Sequence, residues 1–580
     1  MLDVSDPRHP SPAVTRRALL RVATVVAGSL LAACSNASVP AAVPTAAPTS
    51  PPKPTTAAAP TTAAAPASTG ATTAVANADG VIPSPAPDVP EAYLKLPPQF
   101  KSVAAVPGKG SKVSAAFISY NPPVPPRDQN LYWQELEKRL GITYEPNIIP
   151  ADSYREKMAA LVAGGDLPDL TGIEQLNAPD MLKTVNQGAF TDLTSYLDGD
   201  ALKSYPNLAK IPDYAWKNVR IKKKIYGVPI PRFIPDRALY FHEDWLQKLG
   251  AQKAKNADEF LNLMLRFTKE DPAGHGKADQ FGLGGYGSAS GGLWYAFPFF
   301  TMMFRAPHTW RANPDGTLTH AVETPEYRNA IEYMKRLNHA GVYHPDSASM
   351  TIQQAKDAFL AGQFGGYADG WNGVQSARFN FRKIDPNNPA AAILVPPGFD
   401  GGNPAVERSQ GFFGMTCIPV KVGKDQERVK ELLRIIDYAQ APFGSEEYMF
   451  LRFGLPGVHY ELQNGGPVQN DRGRTEVGSL SSGIGRRNDV FYYPDAPDDA
   501  QLMQQWCKEQ VQYGIDNPAY GLYSPTAIAK GSELQTLTVD RMTSIISGRE
   551  PLSTFDAFVS DWRSRGGEQM RKEYEQELKA

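Results

Sequence analysis

Residues 225–250 have the sequence IYGVPIPRFIPDRALYFHEDWLQKLG, and this stretch decides the fold. Its pattern predicts a short apolar strand ending at Pro229, an irregular passage that contains two further prolines, a second strand over 238–242, and a helix that begins near Asp244. Proline has a fixed φ and no N–H donor, so the passage suits neither a helix interior nor a central strand. We therefore expect the chain to cross here between two compact lobes, with the flanking residues lining the cleft between them.

The segment before the crossover predicts an α/β lobe. Residues 112–120 alternate in polarity and are rich in β-branched and aromatic side chains, which is typical of a strand. A leucine-spaced helix over 130–140, a strand over 142–149, a helix over 154–163 and a strand that runs into Ile173 follow. Two successive strand-helix units predict a mixed, largely parallel sheet flanked by helices.

Polar side chains follow the predicted strands of this lobe. Tyr120 and Asn121 come after the first strand, and Glu174 and Gln175 come after the third. Ligands of open α/β sheets bind beyond the carboxyl ends of the strands, so these four residues are candidate ligand contacts. The alternative for each is a capped strand end without a ligand.

The crossover stretch is similar to the family 1 extracellular solute-binding proteins of ABC sugar importers, and most similar to the large lipoprotein branch that handles oligosaccharides. The similarity rests on GVP and DWLQKLG within 226–250, on the Gly-Asp-Leu-Pro-Asp turn at 165–169, and on Gly-Gln-Phe-Gly at 362–365 followed by Trp371. It extends from about Val113 to the C-terminus. The resemblance implies a two-lobed α/β fold of the periplasmic-binding-protein-like type II, with mixed sheets flanked by helices and a hinge between the lobes.

The resemblance also implies ligand contacts by aromatic side chains. Sugar rings pack their C–H faces on flat aromatic rings, and sugar hydroxyls need polar partners. The candidates at the matching positions are Trp294, Tyr295, Trp371, Asn372 and Phe412. Trp371 is the preferred stacking residue; the alternative is a core tryptophan under a loop.

The chain is long enough for two lobes and additional segments, because single cores rarely grow beyond about 250 to 300 residues. The expected segments are a signal over 1–34, a disordered linker over 35–98, the first lobe over 112–234, the second lobe over 238–408, a return of the first lobe over 412–465, and the remainder of the second lobe with the C-terminal helices over 466–580. Bending is expected at about 233–238 and 411–413. Arg232 and Asp236 flank the first of these hinges and are further candidate ligand contacts.

The N-terminus predicts an exported lipoprotein. Arg16 and Arg17 precede an apolar run over 22–31 that is too short to span a bilayer, and small residues lead to Cys34. This pattern resembles a Tat signal with a lipobox, so we expect a lipid on Cys34 and an anchor on the outer face of the bacterial cytoplasmic membrane. An ordinary Sec signal with a chance cysteine is the alternative.

The linker over 35–98 consists mainly of Ala, Pro, Thr and Ser, and such composition buries too little apolar surface to fold. Two cysteines remain in the segments expected to fold, Cys417 and Cys507, and they fall in different expected lobes. A bridge requires Cα atoms within about 7 Å, so we expect two free, buried thiols.

Metal and cofactor binding are weakly indicated. The sequence DPAGHGKADQFGL at 271–283 resembles a loop that binds calcium in some members of the family. Asp271 and Asp279 remain as weak ligand candidates, but Ala273 and His275 occupy positions between them. Calcium needs about six to eight oxygen ligands, so we expect neither a bound metal nor a cofactor.

Other function classes find little support. The net charge of −2 offers no basic field for nucleic acid. No GxSxG, HExxH, CxxC or phosphate-binding GxxxxGK[ST] motif occurs, so we do not expect an enzyme.

The expected function is that of a monomeric binding lipoprotein, which closes two lobes over an oligosaccharide and delivers it to an ABC permease. Two alternatives remain. One is a protein of the same architecture that binds a peptide or signal molecule, with Arg232 and Asp236 as an end-group clamp. The other is an extracellular glycoside-acting enzyme, because a carboxylate pair could meet across the cleft.

Overall fold

The structure is a computed structural model that describes residues 76–174, 179–235, 237–276, 279–287, 296–385 and 391–579. The strands are, in chain order, β1 (Val81–Ile82), β2 (Ala92–Tyr93), β3 (Ser111–Ser119), β4 (Ile142–Pro150), β5 (Leu170–Glu174), β6 (Gly227–Pro231), β7 (Arg237–His242), β8 (Phe281–Leu283), β9 (Trp310–Ala312), β10 (Leu318–His320), β11 (Phe364–Gly370), β12 (Ala391–Leu394), β13 (Val406–Glu407), β14 (Phe412–Cys417), β15 (Tyr460–Gln463), β16 (Gly466–Gln469), β17 (Phe491–Tyr492) and β18 (Gly514–Ile515).

The α-helices are, in chain order, α1 (Leu131–Leu140), α2 (Tyr154–Gly164), α3 (Pro179–Asn186), α4 (Thr194–Leu197), α5 (Asp213–Asn218), α6 (Glu243–Lys248), α7 (Ala257–Lys269), α8 (Phe297–Met303), α9 (Pro325–His339), α10 (Ile352–Leu360), α11 (Val374–Ile384), α12 (Val420–Gly423), α13 (Gln426–Ala439), α14 (Glu446–Phe453), α15 (Asp471–Glu476), α16 (Pro497–Val511), α17 (Pro525–Ile546), α18 (Phe555–Trp562) and α19 (Glu568–Lys579). Within the ranges that the structure covers, none of these helices combines the length and apolarity that a bilayer-spanning segment needs.

Two sheets organise the chain. The first has the order β4-β3-β5-β14-β6, with β3 parallel to β4 and β5, and with β14 antiparallel to both of its neighbours. The second has the order β12-β7-β11-β8 and mixes antiparallel with parallel pairs. The mixed α/β architecture expected from the sequence is therefore confirmed.

Local signals define the first strand-helix unit as expected. The Asn130 side chain accepts a hydrogen bond from the Trp133 amide at 2.9 Å, which caps the N-terminus of α1. Gly141 ends α1 with a φ of 65°, the left-handed conformation that glycine adopts without a Cβ penalty. The strands and helices predicted over 112–173 agree with β3, α1, β4, α2 and β5 within two residues.

Each sheet has its own hydrophobic core. Side chains of β3, β5 and β14 belong to one core, and side chains of β7, β11 and β12 belong to the other. Val477, Leu480 and Ile484 pack in the first core, although the sequence placed everything after residue 466 in the second lobe. The Tyr144 hydroxyl donates to the Leu480 carbonyl at 3.1 Å, so this short turn is held beneath the first sheet by a contact that local sequence does not reveal.

The irregular passage expected after Pro229 lies between β6 and β7, although β6 itself extends to Pro231. It lies beside the return passage that leads into β14: the Ser409 amide donates to the Ile234 carbonyl at 2.9 Å, and the Arg232 amide donates to the Gly411 carbonyl at 3.0 Å. Gly411 has a φ of 78°, and a Cβ there would lie 2.1 Å from the Tyr214 ring. The positive φ and the adjacent Tyr214 ring of α5 together favour glycine at this position.

The prediction that residues 35–98 form a disordered linker is wrong for the last part of that range. Residues from Val81 onward form β1 and β2, which join β17 in a small sheet, and Ile82 and Ala92 are fully buried. The Gln504 side chain of α16 donates to the carbonyls of Ile82 and Pro90 at 3.3 and 2.8 Å. A few apolar residues within a polar composition are therefore enough to dock when a folded surface accepts them.

The cysteine prediction is confirmed. Cys417 lies in β14 within the first core, and Cys507 lies in α16 within the second core; both thiols are free and buried. Burial raises the pKa of both thiols far above the ordinary value, so neither side chain has thiolate character.

The Asp437 carboxylate in α13 is buried in the first lobe. It accepts hydrogen bonds from the backbone amides of Asn207 and Leu208 at 2.8 and 2.9 Å, which ties a neighbouring loop to the helix. Burial nevertheless raises the pKa of Asp437 to about 6. Because this folded-state pKa exceeds the ordinary value, the contribution of Asp437 to stability is present at low pH and is lost as the pH rises through about 6.

We expect Asp437→Asn to remove this pH dependence, because an amide retains a carbonyl acceptor but does not ionise. Relative to the native chain, the free energy of unfolding of the variant should rise by about 1–3 kcal/mol between pH 4 and pH 7. Chemical denaturation at several pH values measures the difference. Asp540→Asn, at an exposed carboxylate, is the control. A difference between Asp437→Asn and the native chain that does not vary with pH would contradict the interpretation.

Candidate functional site

A cavity of about 1270 Å³ opens between the two sheets. Its walls come from the carboxyl ends of β3 and β5, from the N-terminal half of β14, from the end of β11 and from the crossover after β6. Pockets for drug-sized ligands are usually about 300–1,000 Å³, so this cavity has room for a larger molecule. The site therefore lies where the rule for open α/β sheets places it.

On the first sheet, Tyr120 and Glu174 form one wall of the cavity. The Tyr120 hydroxyl donates to the Glu174 carboxylate at 2.9 Å, and the Tyr120 ring meets the Phe413 ring edge to face at 6.3 Å. Tyr120 is 44% exposed, whereas Glu174 is 6% exposed. Burial raises the pKa of the Glu174 carboxyl, so the structure favours its neutral, hydrogen-bond-donating form more than free glutamate does.

Asn121 also lines the cavity, and its side-chain amide donates to the Ser479 hydroxyl at 2.9 Å. Ser479 itself contacts the Ser119 hydroxyl at 2.7 Å. The amide oxygen of Asn121 remains as an acceptor that could face a ligand hydroxyl. Sequence reasoning found Asn121 but not Ser479, which approaches from a segment more than 300 residues away.

Arg232, Arg452 and Arg486 are among the arginines that line the cavity. The Arg232 guanidinium lies 5.0 Å from the centre of the Phe413 ring and donates to the carbonyl of its own neighbour, Pro231, at 3.0 Å. Burial, followed by the cation of Arg486 and then that of Arg452, lowers the pKa of Arg232 to about 10, although the Asp489 carboxylate acts in the opposite direction. Burial and the Arg452 cation likewise lower the pKa of Arg486 to about 10. The cavity thus contains a set of arginines that repel one another.

Trp371 lies directly after β11 and borders the cavity on the side of the second sheet. It is only 1% exposed, because Phe233 and Phe491 cover it with ring centres 5.2 and 5.7 Å away. Its indole nitrogen is buried and has no hydrogen-bond partner within the described part of the chain. The ring is therefore mostly a core element here, and its expected role in sugar stacking stays a prediction.

The second sheet also contributes polar groups that the sequence did not single out. The Tyr286 hydroxyl donates to the Asp369 carboxylate at 3.1 Å, and both residues line the cavity. Asp369 stands at the end of β11, two residues before Trp371, so the strand-end rule used for the first sheet could have identified it.

Of the remaining candidates, Phe412 is 7% exposed and belongs to the first core, although it touches the cavity wall. The neighbouring Phe413 faces Tyr120 and Arg232 instead, because side chains alternate along β14. Several predicted residues lie outside the described residues: Gln175, Asp236, Trp294, Tyr295, the side chain of Asn372, and Cys34.

The weak calcium candidates occupy a loop away from the cavity. Asp271 accepts hydrogen bonds from the amides of Gly274, His275 and Gly276 at 3.1, 3.0 and 2.8 Å. Asp279 lies 3.2 Å from the His275 ring. Within the described residues, no group of three or more His, Cys, Asp or Glu side chains could hold a metal ion. Asp271 thus organises the loop through backbone amides, and calcium binding stays untested.

The chain resembles known solute-binding proteins in sequence and in structure. The chain is 27% identical to the polygalacturonan/rhamnogalacturonan-binding protein YtcQ of Bacillus subtilis over 81% of this chain and 92% of that protein. It is 25% identical to the lipoprotein LipO of the same organism over 80% of this chain and 91% of that protein. The structure of the ABC-transporter substrate-binding protein FusA of S. pneumoniae in complex with kestose superimposes with a TM-score of 0.58, at 18% identity, over 80% of this chain and 98% of that chain.

That superposition gives the fold as the two-lobed one of periplasmic solute-binding proteins, with the two sheets as the centres of the lobes. Residues 122–434, more than half of the chain, match the family described as bacterial extracellular solute-binding protein. The matched range contains the first lobe from α1 to α13 without β3, both crossovers and most of the residues that line the cavity. The chain belongs to the family of bacterial extracellular solute-binding proteins.

Proposed function

We propose that this protein is the substrate-binding lipoprotein of an ABC importer, which captures an oligosaccharide in the cavity and delivers it to a membrane permease. The observation that carries the proposal is the cavity itself: about 1270 Å³ between two sheets, with aromatic rings beside polar groups. YtcQ, a polygalacturonan/rhamnogalacturonan-binding protein, and FusA, whose structure contains kestose, support a carbohydrate ligand. We propose binding and not catalysis, since the relatives with stated functions are binding proteins.

The wall chemistry suits sugars. The Tyr120 and Phe413 rings supply flat apolar faces, and Asn121, Glu174 and Asp369 supply polar partners for hydroxyl groups. Sugars need both kinds of contact, because each ring has C–H faces and a rim of hydroxyls. The size of the cavity favours a ligand of several sugar units over a monosaccharide.

The proposed mechanism is hinge closure. Polar and aromatic groups from both sheets face the cavity, so one ligand can bind both lobes only when they approach each other. Such a ligand stabilises the closed form by its differential affinity for that form. Bending would concentrate at the paired crossovers around Pro235 and Gly411, which connect the lobes through few residues.

Export and anchoring belong to the same proposal. The twin arginines, the short apolar run and the lipobox ending at Cys34 support a lipid-anchored protein on the outer face of the membrane. The relative LipO is named a lipoprotein, which agrees with this assignment. We further propose that the protein acts as a monomer, with the permease as its protein partner.

The first prediction concerns ligand class. We expect the mature chain carrying Cys34→Ser to gain several degrees in melting temperature with an oligosaccharide and none with peptides. A ligand at about 100 times its dissociation constant adds about 2.7 kcal/mol to the free energy of unfolding. Small-angle scattering should show a decrease in the radius of gyration with the same ligand. Stabilisation by a peptide and by no sugar would replace the proposal with a peptide-binding function, and turnover of the sugar would replace it with an enzyme.

The second prediction concerns Trp371. We expect Trp371→Phe to keep most of the packing against Phe233 and Phe491 but to weaken ligand binding about 5- to 10-fold, because the buried indole N–H has no partner in the described chain and a ligand in the adjoining cavity would supply one. Trp371→Ala should also destabilise the free protein by about 3–5 kcal/mol. Calorimetric titration and denaturation separate the two effects. Trp245→Phe, in the same core but away from the cavity, is the control. Unchanged affinity in Trp371→Phe would leave Trp371 a purely structural residue.

The third prediction concerns the anchor. We expect Cys34→Ser to move the protein from the membrane fraction to the soluble fraction of the producing bacterium, because the thiol that would carry the lipid is gone. Detergent phase partitioning followed by immunoblotting measures the distribution. Cys507→Ser, which removes a buried thiol, should remain with the membrane. Retention of Cys34→Ser in the membrane fraction would refute lipidation at this position.

A further inference from the structure

We infer that the ligand of this cavity is acidic, and that Arg232 and Arg486, with Arg452 beside them, bind the carboxylate of a uronic-acid-containing oligosaccharide. The inference rests on the proposed function and narrows its substrate class. It depends on a feature that no local pattern in the sequence revealed: three cationic side chains line the same cavity, close enough to act on one another electrostatically.

The arginines have no carboxylate partner within the part of the chain that the structure describes. No ion pair of 4.0 Å or less involves Arg232, Arg452 or Arg486, and the Nε and Nη1 atoms of Arg486 are buried without any hydrogen bond. A buried cation without a partner is costly, and proteins usually avoid it by pairing the charge. A bound anion would supply the absent partner.

Other arginines of the chain form ion pairs with aspartates. Arg155 lies 2.6 Å from Asp180, and Arg220 lies 2.8 Å from Asp198. Arg487, next in sequence to Arg486, lies 2.7 Å from Asp489. Carboxylates are therefore present close to the cluster but are engaged by other arginines.

Arg232 and Arg486 lie on segments that connect the two lobes, so the charge of a bound ligand can affect the hinge. Arg232 lies on the first crossover, and Arg486 lies between the turn in the first core and β17 of the other lobe. The Arg452 cation, in α14, acts on both. An anion bound here contacts segments that connect the lobes and relieves the repulsion between the arginines.

The surroundings favour an acidic sugar over a free inorganic anion or a peptide end. The guanidinium of Arg232 stacks on Phe413 at 5.0 Å, and Phe413 meets the Tyr120 ring. An aromatic surface beside a guanidinium fork matches a sugar ring whose substituent is a planar carboxylate, which arginine binds through two parallel hydrogen bonds. With a net charge of −2, the whole chain supplies no general attraction for acidic polymers, so the recognition must be local.

The test compares ligands that differ only in charge. The mature chain carrying Cys34→Ser is titrated with tri- and tetragalacturonate, with alginate oligosaccharides of the same length, and with the methyl esters of both sets. Neutral and sulfated oligosaccharides and acidic peptides complete the panel. We expect at least one uronate series to bind, and its methyl ester to bind at least about 10-fold more weakly, since a charge-assisted hydrogen bond contributes more than a neutral one.

Variants locate the effect. Arg232→Gln and Arg486→Gln should each weaken uronate binding about 10- to 100-fold, with a much smaller effect on the methyl ester. Lysine at either position should restore only part of the affinity, because it lacks the planar fork. Arg336→Gln removes the same charge at an exposed ion pair with Asp258 and is the matched control. The free Arg486→Gln protein should melt at the same temperature as the native chain or higher.

Each outcome is decisive. Equal affinity for the acid and its methyl ester, or binding of neutral oligosaccharides alone, would refute the inference and leave the proposed function standing. Preference for sulfated sugars would refute the carboxylate as the recognised group. Binding of peptides alone, or of no member of the panel, would refute both proposals. A clear fall in the melting temperature of free Arg486→Gln would show that the arginine is structural and would also overturn the inference.

Discussion

The pairing of two backbone passages at the change of lobe is the constraint on which the rest of the structure depends. The first passage contains Pro231 and Pro235, which donate no hydrogen bond, so it relies on Arg232 as a donor and on Ile234 as an acceptor to join the return passage. Gly411 fits beside the ring of Tyr214 in α5, where a side chain would collide with that ring. The same pairing presents Arg232 and Phe413 to the cavity. Residues at the connection between the lobes therefore also line the cavity.

The two walls of the cavity differ in chemistry. Tyr120 and Phe413 form an aromatic surface on the first sheet, whereas Asp369 and Tyr286 form a hydrogen-bonded polar group on the second. In the proposed closure, these unlike surfaces would contact one ligand. Because the cost of desolvating polar groups is recovered only when partners are in place, the open and closed forms should respond strongly to ligand chemistry.

Much of the fold could be predicted from the sequence, because local rules act within a few residues. The Asn130 cap, the Gly141 stop and the prolines of the crossover identified the elements around them within about two residues. The site was predictable only in part. Tyr120, Asn121 and Glu174 followed from the strand-end rule, and they do line the cavity. Arg452 and Arg486 carried no local signal, since each reaches the cavity through packing between distant segments.

By itself, then, the sequence determined the order of strands and helices, the crossover between two α/β lobes and the free state of both described cysteines. These features depend on backbone dihedrals, hydrogen-bond donors and residue periodicity, which are properties of short segments. Only the tertiary structure decided that Ile82 and Ala92 dock, that Trp371 is covered by Phe233 and Phe491, and that three arginines converge without acidic partners in the described chain. Burial and charge environment are set by residues far apart in sequence, and no local pattern encodes which of them will meet.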